Sequence, residues 1–260
     1  MTLNPKIYKF FCVVDFEATC WESDQTKGEK NNLGNPYEII EFPSVLFKFN
    51  PDNYTLEYVD EFQKYCKPVI NPILSEFYTK LTGIKQETVD AAEIFPYVFK
   101  KHFDWLLTHV ENPNDVILLS CGVWDFESAL PQELKRWSRN KELYDKSPNE
   151  YDLIVNTPKV YKNFINVKDI YSSFYQIKAY GMVGMLNHLN IKLEGRHHSG
   201  LDDSKNIDKI LQKIFIDAKS KSDGSESDIV KHLIIRKVTS KLVDQRKQWN
   251  HCKKNNNISY

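Results

Sequence analysis

An α/β layer architecture built on a mixed sheet is predicted for this chain of 260 residues. Three observations predict it. Three strand-like segments follow one another early, joined by turn chemistry, and read as an antiparallel meander. Apolar strand-like runs then alternate with segments of helical period. No internal repeat breaks that order into a solenoid or a propeller.

The first strand is Phe10 to Val14, a short apolar run that two carboxylates, Asp15 and Glu17, interrupt. The second runs from Tyr37 to Phe49, with Pro43 expected at a bulge or an edge. Asn50-Pro-Asp-Asn53 is a turn, and Thr55 to Cys66 completes the meander. Short helical pieces are expected over 74–80 and 86–92. Phe95 to Leu107 has apolar residues at amphipathic helical spacing. Asp115 to Cys121 is a fully buried strand that ends at Gly122, and a helix follows over 126–139. Residues 140–161 are polar, contain Pro148 and Pro158, and read as a loop. A last strand over 164–167 precedes helices over 169–175, 181–189 and 203–215. Residues 218–227 have the composition of a linker. Residues 228–260 read as a basic helical tail. From residue 230 onward eight basic residues stand against one acid, Asp244.

Net formal charge is +0, so no global field draws the chain onto nucleic acid or membrane. Any such contact must come from a local patch. The five cysteines are scattered, without a Cys-x-x-Cys pair, and read as small buried hydrophobes in a reducing compartment. No apolar run approaches membrane-spanning length, and residues 1–6 lack a signal-peptide core. A soluble, intracellular protein is expected, cytoplasmic or nuclear.

Chemistry concentrates where apolar strands end. Strand residues two apart project to the same side, so Asp15 and Glu17 point together. Two neighbouring carboxylates in an apolar setting repel unless a cation lies between them, and Mg²⁺ answers that need. The plainer alternative has one acid capping a turn and the other facing water. Asp125 follows the strand ending near Cys121. Gly195-Arg-His-His-Ser-Gly-Leu-Asp-Asp-Ser-Lys-Asn206 brings histidines to the start of a helix. Asp15, Glu17, Asp125 and an acid of that last block could together hold two divalent ions beside one of its histidines acting as general base. The plainer reading of the last block is a helix N-cap with an incidental histidine pair.

These residues resemble the DEDDh (DnaQ-like) 3′→5′ exonuclease superfamily, most closely its Eri-type exoribonuclease branch, whose members trim histone mRNA, small RNA and 5.8S rRNA ends. The resemblance rests on Val14 to Cys20, Glu38 to Pro43, Leu81 to Ile84, Trp124-Asp125 and Gly195 to Asn206, and covers roughly residues 9 to 217. It implies an RNase H-like fold, a five-stranded mixed sheet flanked by helices, with residues 1–217 as the exonuclease domain. It also implies two Mg²⁺ ions, with Mn²⁺ able to substitute, and release of nucleoside 5′-monophosphates from RNA.

The implied roles place Asp15 between both metals, Glu17 and Asp203 on one ion and Asp125 on the other. His197 and Asp202 have the same spacing as His198 and Asp203. The pattern of the branch selects His198 as the base and Asp203 as the ligand, and leaves His197 where relatives commonly have Pro. Asp202 is left as an N-cap or an outer support. Trp124 either packs in the core or stacks on the terminal base. Phe77 would supply the opposite face, Leu81 a wedge, and the Thr82 and Gly83 backbone contacts to ribose. Glu38 and Glu41 are read as structurally satisfied. The implied partner is RNA with a free 3′ end, free or within a ribosome or ribonucleoprotein, acted on by a monomer away from any membrane. An enzyme acting mainly on DNA is the alternative. The tail is either a solvated helix face or an accessory nucleic-acid contact. An SAP-type module, carried ahead of the nuclease by some animal relatives, is not expected in the few residues before the first strand.

Overall fold

The computed structural model describes residues 8–20, 36–221 and 232–238. The centre of the sheet is β1 (Phe10–Val14), antiparallel to β3 (Ile39–Asn50) and parallel to β5 (Val116–Ser120). On the far edge of β3 lies β4 (Thr55–Tyr65), and β6 (Asn163–Asn166) runs parallel to β5. These are the five expected strands. Two short ones join them. β2 (Glu17–Ala18) continues the line of β1 along β3, and β7 (Ile235–Lys237) pairs antiparallel with β6.

Helices cover both faces, which is why β1 is apolar throughout. Phe11 and Val13 face one core, with Ile117, Leu119 and Ile165. That core is closed by α7 (Val167–Tyr175), α8 (Met182–His188) and α9 (Gly200–Lys221). Cys12 and Val14 face the other core, with Phe42, Leu46 and Leu118. There α3 (Phe95–His109), α4 (Leu130–Trp137) and α6 (Pro148–Val155) close the layer. Cys12, Cys20, Cys66 and Cys121 are free thiols. Among the described residues no helix is long and apolar enough to cross a membrane.

Several local expectations are corrected or refined. Residues 140–161 are not a loop: α5 (Lys141–Lys146), α6 and a 3-10 turn (Lys159–Lys162) fill them. The Asn140 side chain caps α5 by accepting the Leu143 N–H, and Pro148 opens α6 at a position where its missing donor costs nothing. The helix after β5 begins with one π-helical turn, Asp125–Ala129. Pro43 lies inside an interior strand, opposite the break between β1, which ends on Ser44, and β2, which begins on Glu41. No ladder donor is needed from it there. Finally, the described part of the tail is not helical. Ile235–Lys237 takes the open edge of β6, where unpaired backbone groups outweigh a helical side-chain period. Arg236 secures it on Asp169 and Glu127. α9 also continues to Lys221, into the stretch read as linker, while 222–231 and 239–260 lie outside the described residues.

Two packing features set the geometry of the sheet's active end. The start of α9 presses on the β1–β2 turn through Gly200. A Cβ there would lie 2.6 Å from the Asp15 carbonyl oxygen and 2.7 Å from Pro43 Cγ. On the opposite face His102 is fully buried, its Nε2 2.9 Å from Ser44 Oγ and its Nδ1 2.6 Å from the Tyr161 hydroxyl. Burial pushes its pKa down to about 3, so the ring is neutral.

Gly200→Ala should therefore destabilise the protein by about 1–3 kcal/mol through overpacking. The same change at Gly184, whose added Cβ would meet only Tyr180 Cβ at 3.4 Å, should be neutral or stabilising. Thermal melts of the two variants check the opposite signs. His102 predicts acid sensitivity. Its folded pKa lies below the unfolded value, so its contribution is complete above about pH 6.5 and is lost as pH falls toward 3. Melting temperature should drop more steeply below about pH 6.5 in the natural protein than in His102→Gln.

Candidate active site

Four acids meet at the ends of β1 and β5. Asp15 follows β1, Glu17 opens β2, Asp125 opens the π turn beyond β5, and Asp203 lies in the first turn of α9. Carboxylate oxygens of Asp15, Glu17 and Asp203 all fall within 4.8 Å of one another. Asp125 is buried, and its Oδ1 accepts the N–H of Phe16 at 2.9 Å. Phe16 is the residue between the first two acids, so this bond locks their turn to the end of β5.

The cluster is electrostatically unfavourable as it stands. Burial pushes the Asp15 carboxyl well above the usual range, and Asp125, Glu17, Asp203 and Glu41 add to the shift. Glu17 rises to about 9, from burial first and then from Glu41, Asp203 and Asp125. Asp125 rises to about 6 through burial, partly offset by the Phe16 N–H and the Lys168 ammonium. Among the described residues no Lys or Arg forms an ion pair with Asp15 or Glu17. Hard oxygen donors crowded at a half-buried cleft, Asp15 and Glu17 without an ion-paired Lys or Arg among the described residues, are a donor set that fits divalent, oxygen-seeking ions.

The histidine loop is held from several directions. Asn206, fully buried, accepts the Glu194 N–H and donates to the carbonyls of Glu194 and Asp202. Asp202 accepts the N–H of Arg196 at 2.9 Å, so it supports the loop and does not cap the helix. Gly195 turns with φ +73°, and a Cβ there would lie 2.4 Å from Asp202 Cγ, so only glycine fits. His198 itself adopts φ +65°, and its N–H donates to Asp203 Oδ2 at 2.9 Å. Its pKa is lowered by burial first, then by His197 and Arg196, against the pull of Asp203. His197 lies with its Nδ1 3.1 and 3.2 Å from the two Asp203 oxygens. The two imidazoles are stacked at 3.9 Å. Both line one cleft of about 210 Å³ with Asp15, Lys168 and Asp203.

The residues expected to hold substrate lie on α1 (Glu76–Thr82), which precedes α2 (Gln86–Asp90), and beside Asp125. Phe77 and Leu81 are half-buried. Thr82 is buried, donating to the Tyr78 carbonyl and accepting the Ile84 N–H. Gly83 ends α1 with φ +77°. The Trp124 indole is 37% exposed, with Tyr37 edge-on at 6.0 Å, so it is not core packing. Glu38 is satisfied structurally, accepting the N–H groups of Val69, Ile70 and Asn71. Glu41 is buried and accepts from Gln63 at 2.7 Å, yet it faces Glu17 across the β2–β3 pair.

Two residues escaped the sequence reading. Arg196 donates to the carbonyls of Lys80 and Leu81 at 2.9 and 3.2 Å, and its guanidinium covers Gly83. It ties the histidine loop to the expected ribose-facing segment. Lys168 brings a positive charge to the cleft beside the acids. Arg196 stands in a recognisable block, but nothing local marks its distant carbonyl partners. Lys168 carries no motif signal.

The sequence matches the model of the family described as Exonuclease (RNase_T) over residues 12–211. The human 3′-5′ exoribonuclease 1 is 37% identical over 226 residues, covering 81% of this chain and 53% of that protein. The 3′-5′ exonuclease eri1 of Schizosaccharomyces pombe is 30% identical over 232 residues, covering 81% of this chain and 69% of the relative. This chain thus spans about half the length of the mammalian relative. Among solved structures, the nuclease domain of 3′hExo bound to rAMP superposes with a TM-score of 0.64 at 34% identity, covering 88% of this chain and 96% of that one. The 3′-exonuclease whose recognition of the histone mRNA stem-loop has been solved gives 0.63 at 34% identity, over 82% of this chain and 84% of that one. With its four acids and its histidine loop gathered at one end of a mixed sheet, the chain belongs to the exonuclease (RNase_T) family, in the Eri-type branch of its DEDDh members.

Proposed function

We propose that this chain is a 3′→5′ exoribonuclease that removes nucleoside 5′-monophosphates from RNA 3′ ends. One observation carries the reading: Asp15 and Asp203 line one cleft with His198, Glu17 offers an oxygen within 4.8 Å of theirs, and Asp125 is bonded to the turn between Asp15 and Glu17 through the Phe16 N–H. DEDDh exonucleases use divalent metal ions. Asp15, Glu17 and Asp203 would hold one ion and Asp15 with Asp125 a second, Mg²⁺ by preference and Mn²⁺ as a substitute. When bound, such ions polarise the phosphate, ease deprotonation of the attacking water and neutralise the leaving oxygen.

The chain's own groups do the rest. His198 takes the proton of the attacking water, and its lowered pKa keeps the imidazole in the accepting form at neutral pH. The new bond forms at phosphorus, the bond to the penultimate 3′ oxygen breaks, and the terminal nucleotide leaves as its 5′-monophosphate. Trp124 and Phe77 take the faces of the terminal base, which suits sequence-tolerant trimming. Leu81 wedges beside that base, and the Thr82 and Gly83 backbone meets the ribose hydroxyls. Every one of these groups comes from one chain, so a monomer suffices. The substrates are intracellular RNA ends, free or within the ribosome or another ribonucleoprotein.

The chemistry is read by AMP release from single-stranded oligo-A RNA and from the matching DNA. Release from RNA with Mg²⁺ and none with EDTA is expected. Faster release from DNA would shift the reading to a DNA exonuclease, and no release from either would remove the enzyme. His198→Gln should lower kcat by about 10²–10⁴-fold with RNA binding retained.

The acid cluster makes a separate prediction about stability. The folded Glu17 pKa lies above its unfolded value. Its contribution is therefore complete below about pH 4.5 and lost as pH rises through about 9. In EDTA the melting temperature should fall across that window. Mg²⁺ should restore it, and Asp15→Asn should raise the metal-free value while abolishing AMP release. A metal-free protein whose melting is unchanged by Mg²⁺ would contradict the assignment.

A further inference from the structure

We propose that His197, His198 and Asp203 form a second metal site, one that takes Zn²⁺ or a similar imidazole-seeking transition-metal ion and switches hydrolysis off when filled. The switching rests on the reading of His198 as the base. The site itself does not.

The three side chains offer ligand atoms that all lie within 4.8 Å of one another. The His197–Asp203 pair is already near coordination spacing. His197 Nδ1 is 3.1 and 3.2 Å from the Asp203 oxygens. A charge-assisted N–H···O⁻ bond prefers about 2.7–2.9 Å. Nitrogen and oxygen ligands at about 2.0–2.2 Å around a tetrahedral zinc ion lie about 3.4 Å apart. An ion replacing the shared proton would need those atoms to part by only a few tenths of an ångström.

The donors are also held in place. Asp203 is 4% exposed, stands in the first turn of α9, and has one oxygen fixed by the His198 N–H at 2.9 Å. The two rings stack at 3.9 Å, so the His198 ring swings off His197 by about an ångström when both bind one ion. The His197 side chain is 42% exposed and opens on the cleft, so an ion can enter without unfolding anything. Three protein ligands leave one position for water.

Ligand type separates this site from the carboxylate site. Two imidazoles and one carboxylate suit Zn²⁺, Ni²⁺, Co²⁺ or Cu²⁺, whereas Asp15, Glu17 and Asp203 supply only oxygen and suit Mg²⁺ or Mn²⁺. Asp203 belongs to both groups. Zinc on the histidines therefore withdraws a carboxylate from the Mg²⁺ set and commits the His198 lone pair to the metal, so that nitrogen can no longer take a proton from water.

The test is calorimetric titration of Zn²⁺ and of Mg²⁺ into the metal-free full chain, with Co²⁺ absorption as a ligand-sensitive readout. Intense visible Co²⁺ bands are expected in the natural protein. His197→Gln and His198→Gln should each weaken Zn²⁺ at least about tenfold more than they weaken Mg²⁺. At fixed Mg²⁺, Zn²⁺ should stop AMP release by the natural protein at concentrations where His197→Gln keeps its own rate. Equal Zn²⁺ affinity in the natural protein and His197→Gln would overturn the site, as would weak octahedral Co²⁺ bands in the natural protein, which need no variant. Histidine-dependent zinc binding without inhibition would overturn the switch. Histidine-dependent zinc binding in a chain that releases no AMP at all would leave the site standing and remove the exonuclease reading.

Discussion

The hydrogen bond from the Phe16 N–H to Asp125 is the joint on which the active end of this protein depends. It spans 109 residues of sequence and 2.9 Å of space. On one side it holds the turn that carries Asp15 and Glu17. On the other it fixes the π turn that carries Asp125 and, beside it, the exposed Trp124. A backbone donor to a buried carboxylate contributes about 1.5–3 kcal/mol. Here it holds together acids whose crowding and burial raise their pKa values, so that ionising them costs stability. The fold thus stores an unfavourable field, and a divalent cation is the partner that releases it.

A second set of contacts makes the site a unit and not a list of residues. Gly200 allows the first turn of α9 to reach the Asp15 carbonyl, which places Asp203 against the first two acids. Asn206 and Asp202 brace the loop that precedes it. Arg196 then carries the loop across to the end of α1. The segment that would meet the terminal ribose and the segment that carries the histidines are hydrogen-bonded to each other. Displacement of one is transmitted to the other through Arg196.

Much of the architecture was legible because it is written in local periods. Buried strands such as β1 and β5 have apolar residues at every position, since alternate side chains enter two cores. The misreadings have a common cause. Pro148 looked like an interruption and is a helix start. Pro43 looked like a bulge or edge signal and lies opposite a gap in an interior ladder. In each case the residue's local restriction was read correctly, and the neighbouring element decided its meaning. The strand at Ile235–Lys237 was invisible for the same reason: an open edge on β6 called for it, and its own side chains did not.

The sequence by itself determined the chemical inventory. Asp15 and Glu17 share a side because strand side chains alternate, Asp125 was marked by residue type at the end of an apolar run, and the pattern of the branch selected His198 and Asp203 from the last block. Only the tertiary structure decided how that inventory is wired. It brought both histidines to Asp203, where spacing alone could not separate His197 from His198. It exposed Trp124, satisfied Glu38, and set Lys168 and Arg196 beside the site. The physical reason is range. Local patterns encode what a residue does to its own segment, while burial, repulsion and hydrogen bonding across a hundred residues exist only once the chain has folded.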